Sequence, residues 1–191
     1  MRKAVVLLTL GMIIISLVVF VPGCGQSSED LALKYIGRGD GYSYRMASEG
    51  EKMSTALEDF FAILQGPNPE AILNPAGPLE RYETARGEMS SLALQAEVEY
   101  QSVLSLSGVE EEKEYATMMS EVAQKTGALA EFIEEWFNKA LDVIETLNES
   151  KIRSYLTGDE FEGGLAEIDE MRAEIDRVAG EARDYRLERD F

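Results

Sequence analysis

The chain has 191 residues, with 18 lysines and arginines against 36 aspartates and glutamates, a formal net charge of −18. Histidine is absent and cysteine occurs once, which excludes Ser-His-Asp and Cys-His nucleophile pairs, His-ligated haem or zinc, Glu-x-x-His di-iron centres and any internal disulfide. The acid excess leaves no basic stripe to neutralise phosphates, so no nucleic-acid partner and no cofactor are expected.

The first segment is Met1-Arg2-Lys3, short and basic, followed by Ala4 to Val21 (AVVLLTLGMIIISLVVFV) without a charge. A basic start, an apolar run and a small residue ahead of a cut are the marks of an export signal. Val21-Pro22-Gly23-Cys24 then resembles the lipobox of bacterial prolipoproteins, in which a peptidase cuts before the cysteine once a diacylglycerol is on its sulfur. The resemblance implies a signal peptide over 1–23, cleavage after Gly23 and lipidation of Cys24. Gly23 suits a cleavage pocket and Val21 the apolar position upstream, while Pro22 departs from the small or aliphatic residue usual there. The other reading is an uncleaved signal anchor, since about 18 apolar residues can span a bilayer. Both readings place the rest of the chain on the extracytoplasmic face of the cell membrane. One lipid chain binds a membrane only marginally and two hold it stably. That matters because losing Arg2 and Lys3 leaves a body with net charge near −20, which anionic lipid repels.

Residues 24–41 are read as a tether. Ser27-x-x-Asp30 has the spacing to cap a short helix through Ile36. Gly37-Arg38-Gly39-Asp40-Gly41 follows, and three glycines in five residues predict a hinge. Arg38-Gly39-Asp40 spells the integrin-binding tripeptide, a match too short to carry function. Tyr35, Tyr42 and Tyr44 flank the hinge, where their rings suit either the base of a bundle or lipid headgroups.

Residues 42–191 are read as one helical domain, an all-α, antiparallel up-down four-helix bundle with helices over about 42–65, 78–105, 109–148 and 164–187. Met46, Gly50, Met53, Leu57, Phe60 and Leu64 form the first seam, and Gly66-Pro67 is expected to end it, with the glycine in the left-handed cap. Gly77-Pro78 opens the second, along which Tyr82, Ala85, Met89, Leu92, Ala96, Tyr100 and Val103 recur. Ser107-x-x-Glu110 has the form of a capping box for the third. There Tyr115, Met119, Val122, Thr126, Leu129, Ile133, Trp136, Ala140, Val143 and Leu147 are spaced alternately four and three apart. At about 60 Å this helix would project about 20 Å past its neighbours or bend at Gly127. A projecting seam would call for self-association or a partner helix. Thr157-Gly158 and Gly163-Gly164 break the chain before the last seam, Leu165, Ile168, Met171, Ile175, Val178, Ala182 and Tyr185. A short helical turn is expected over 151–156.

Carboxylates are the only abundant reactive groups. Glu110, Glu111, Glu112 and Glu114 suit the positive end of the third helix. Asp159, Glu160 and Glu162 lack the spacing of a calcium loop, and Glu135 is expected to pair with Lys139 one turn on. No catalytic or metal-ligating residue is assigned. Met118, Met119 and Trp136 are the candidate ligand or partner residues, since methionine fills irregular cores and also lines adaptable binding surfaces. The expected function is a membrane-anchored extracytoplasmic lipoprotein, a non-enzymatic acidic helical module contacting the bilayer through Cys24 and an envelope protein or a second copy through its helices. The alternative is a binding protein holding a small apolar ligand between the helices.

Overall fold

The computed structural model describes residues 26–66, 72, 74, 76–146, 148–189 and 191. The expected signal peptide, Gly23 and Cys24 lie outside them. Among the described residues there are four long helices and one short one: α1 (Ser28–Leu64), α2 (Pro78–Leu104), α3 (Glu110–Ile144), α4 (Glu149–Leu156) and α5 (Asp159–Arg189). None is long and apolar enough to cross a membrane.

The long helices run up, down, up and down. Asp59 of α1 meets Arg81 of α2 at 2.9 Å, while Asp40 meets Tyr100 at the far end. Arg86 of α2 meets Glu134 of α3, and Gln101 meets Ser120. Tyr185 of α5 reaches Glu114 of α3, while Phe161 stacks near Trp136. The fold is thus the expected all-α antiparallel four-helix bundle. All seven seam residues of α2 are buried, and Pro78 opens that helix without needing an N–H partner.

Helix α1 corrects the expected hinge. It starts at Ser28 and runs unbroken for 37 residues through Gly37, Gly39 and Gly41. Ser27 and Asp30 do form a capping box, each side chain accepting from the other's backbone N–H. Each helical glycine costs about 1 kcal/mol relative to alanine. Burial of Ala32 and Ile36 and the polar contacts of Asp40 outweigh that cost. Gly39 is there for space: a Cβ on it would lie 2.6 Å from Cε1 of Tyr100, a ring with no exposed surface.

With α1 this long, the overhang of α3 disappears. Helix α3 has 35 residues, about 52 Å, and α1 is about 56 Å. The 20 Å projection is therefore corrected, and the case it made for self-association goes with it. Helix α3 also passes through Gly127 without interruption.

Three end signals land elsewhere than expected. Helix α3 is not capped by Ser107: Val109 is its N-cap, and Gly108 turns the chain with φ at +78°. Gly66 does not take the left-handed cap, because Gln65 closes α1 in right-handed conformation. Gly163-Gly164 does not break the last helix, which begins at Asp159. Gly164 is buried against Trp136, where a Cβ would lie 2.1 Å from Cδ1 of the indole. The seam of α5 therefore starts at Phe161, Gly164 and Ile168, and Leu165 is 43% exposed.

The core divides along the bundle axis. At one end Phe60, Phe61, Phe137, Phe161, Tyr82 and Trp136 interlock edge to face or tilted, with centroids 4.5–6.3 Å apart. At the other end, Ile36, Tyr100, Val103, Val109 and Tyr115 pack around a polar centre. There Oδ1 of Asp40 accepts hydrogen bonds from the hydroxyls of Tyr100 (2.9 Å) and Tyr115 (2.8 Å). Its Oδ2 pairs with the guanidinium of Arg186. This carboxylate, the last member of the Arg38-Gly39-Asp40 tripeptide, is engaged by three other helices.

Replacing Asp40 by alanine should destabilise the fold by about 2–3 kcal/mol. It strands two tyrosine hydroxyls and a guanidinium, with a discount because the pair is partly exposed. Urea unfolding measures this. A loss within about 0.5 kcal/mol, the range of an ordinary surface change, would show that the cluster does not tie the helices together.

Candidate functional site

Helices α1 and α5 are neighbours in the bundle yet nowhere approach within 8 Å between Cα atoms among the described residues. Side-chain contacts join them near both ends. The Asp40–Arg186 pair closes one end, and Phe61 meets Phe161 edge to face at 5.4 Å near the other. Between these ties lies a groove of about 480 Å³.

The α1 wall consists of Ser43, Ala47, Gly50, Glu51 and Ser54 with Met46 and Met53 beneath. These recur three and four apart, so one face supplies them. The α5 wall is Arg172, Ile175, Asp176 and Ala179, again on one face. Met89 of α2 and Met119, Val122, Thr126 and Leu129 of α3 make the floor. The groove exists because Ala47, Gly50, Ser54 and Ala179 have little or no side chain to fill it. Thr126, the one polar floor residue, donates its hydroxyl to the carbonyl of Val122 at 2.8 Å. The floor therefore presents an apolar surface with no polar group left wanting.

The four methionines give this floor its character. Met46, Met53 and Met89 are almost fully buried and Met119 is half-buried. Unbranched thioether side chains repack around differing shapes at low cost. Ser43 links the groove to the tie beside it, since its Oγ lies 3.1 Å from the Tyr100 hydroxyl. Burial, then the charge on Asp40, raises the pKa of the Tyr100 and Tyr115 phenols well above the ordinary tyrosine value.

Of the candidate residues, Met119 lies in the groove. Met118 is half-buried and packs against the polar-centred half of the core. Trp136 lies away from the groove, in the aromatic half, and its indole N–H points to the carbonyl of Phe161 at 3.4 Å. Several of the carboxylates form surface pairs: Glu111 with Arg189, Glu110 with Lys113 and Glu134 with Arg86. Lys139 pairs with Glu160 of α5 rather than with Glu135. Among the described residues no group of three acids or thiols converges as metal ligands would.

Sequence reasoning did not single out Ser43, Gly50, Arg172 or Ala179 as groove residues. The signal was present only as small residues at helical spacing, which on their own read as packing. Neither a protein-family model, nor a curated protein, nor a solved structure matches the chain.

Proposed function

We propose that the protein is a membrane-anchored extracytoplasmic lipoprotein, tethered by acylated Cys24, whose acidic helical bundle is a non-enzymatic binding module. The α1–α5 groove is the observation that carries the binding part. Its volume falls within the roughly 300–1,000 Å³ of small-molecule sites, and its floor is apolar and adaptable. That favours a small apolar ligand over a second envelope protein as its occupant. The anchor rests on the resemblance of Val21-Pro22-Gly23-Cys24 to a lipobox.

The tether is short on this reading. Two residues separate Cys24 from Ser27, the cap of α1, so the Asp40–Arg186 end would face the bilayer and the aromatic end would point away. Cys24→Ser is expected to abolish incorporation of labelled palmitate and to leave the chain longer by the uncut signal. Unchanged labelling and unchanged length would remove the anchor. Native mass spectrometry of the protein released gently from membranes tests the groove, with co-purification of an apolar molecule as the expected result.

A further inference from the structure

We infer that the groove takes a single-chain amphiphile bearing a carboxylate, a free long-chain fatty acid, with its chain over the methionines and its head on Arg172. This rests on the proposed reading of the groove as a ligand site and adds the chemical class. Among the described residues Arg172 is the only cationic side chain that lines the groove. It is half-buried, while Glu51 and Asp176, the two acids on the same walls, are exposed. Arg172 is thus the most buried of the three charged residues. Neither acid comes within 4.0 Å of it, and Arg172 makes no ion pair with any described residue.

Arg45, Arg153 and Arg183 likewise hold no carboxylate among the described residues, but of these four arginines Arg172 alone lines the groove. Arg38, Arg81, Arg86, Arg177, Arg186 and Arg189 each hold a carboxylate. With twice as many acids as bases available, an arginine left without one, next to an apolar floor, matches a ligand that brings its own. A guanidinium binds a carboxylate through two parallel N–H donors. Thioether side chains follow a flexible alkyl chain through its conformers. A cationic amphiphile would meet Arg172 head-on, and a neutral one would leave it unanswered.

The test uses the purified full chain reconstituted in phosphatidylcholine vesicles. Three photoactivatable probes are added separately: a sixteen-carbon fatty acid, the matching alcohol and a phosphatidylcholine. The acid should label peptides carrying Met46, Met53, Met89 or Met119 at concentrations about ten- to hundredfold below the alcohol, the range of one charge-assisted contact. Arg172→Gln should erase that difference without weakening the alcohol, Arg172→Lys should keep part of it, and Glu51→Gln should widen it. Equal labelling by acid and alcohol, unaltered in Arg172→Gln, would overturn the carboxylate assignment while leaving the groove as a ligand site. Stronger labelling by the phosphatidylcholine would also overturn it, in favour of a bilayer lipid. Labelling of the groove by none of the probes would overturn the groove itself.

Discussion

The double variant Gly39→Ala/Gly164→Ala is expected to unfold about 4 kcal/mol more easily than the parent, whereas Gly37→Ala/Gly163→Ala should gain about 1–2 kcal/mol. All four glycines lie inside helices, so propensity alone predicts that every one improves on becoming alanine. Space reverses two of them. A Cβ on Gly39 would stand 2.6 and 2.7 Å from two ring atoms of Tyr100, and one on Gly164 would stand 2.1 and 2.4 Å from Cδ1 and Nε1 of Trp136. Neither ring can step aside easily. Tyr100 is fully buried and its hydroxyl is held by Asp40 and Ser43, and Trp136 is wedged among Phe61, Phe161 and Gly164. Overpacking strain of about 3 kcal/mol at each site, less about 1 kcal/mol of regained helix propensity, leaves about 2. The sites sit at opposite ends of the bundle with no shared partner, so the effects add. Gly37 and Gly163 have nothing within 4 Å of the added atom. Thermal unfolding of the two double variants decides the matter. If both moved in the same direction, the close approach of helix backbone to these rings would be refuted.

The same residues show what the sequence made legible. The α2 seam from Tyr82 to Val103 stood out because large apolar residues alternate with charged ones and Pro78 marks the start. The first half of α1 carries a seam of the same spacing: Ala32, Ile36, Gly39, Ser43 and Met46. It escaped notice because three of those five are small or polar, and the glycines pointed to a turn. A glycine reads locally as freedom, and only a facing ring turns it into a packing surface. The ring of Tyr100 lies 61 residues from Gly39 in sequence. The error at Gly163-Gly164 has the same cause. Asp40 and Arg186 are 146 residues apart, and only the up-down topology joins them. The groove was least legible, because it is made by missing volume. Small residues on α1 and α5 leave a gap only where the two helices already stand apart, and they stand apart because α1 packs chiefly on α2 while α5 packs chiefly on α3.

Raising the pH should unfold this protein steeply above about pH 10, and three tyrosines should account for most of the slope. Tyr82, Tyr100 and Tyr115 are 3%, 0% and 4% exposed. Burial raises each phenol pKa well above the usual value, and the Asp40 carboxylate adds to the rise at Tyr100 and Tyr115. In the unfolded chain these groups lose their protons near pH 10, while in the folded chain they keep them. The unfolded state then binds fewer protons, so stability is fully present below pH 10 and falls as pH rises toward the folded values. Each group contributes about 1.4 kcal/mol per pH unit, and three together about 4. Against a typical 5–15 kcal/mol of stability, that loss unfolds the bundle within a few units. The three differ in one useful respect. The Tyr82 hydroxyl is buried without a hydrogen-bond partner, whereas Tyr100 and Tyr115 donate to Asp40. Tyr82→Phe should therefore be neutral or stabilising at pH 7 by up to about 1–2 kcal/mol, and Tyr100→Phe should be destabilising there. Both should flatten the alkaline slope by about a third. Circular dichroism and tyrosinate absorbance, followed together against pH, give the readout. Tyr82, Tyr100 and Tyr115 should titrate only as helix is lost; their titration on an intact bundle would overturn the buried placement of these rings.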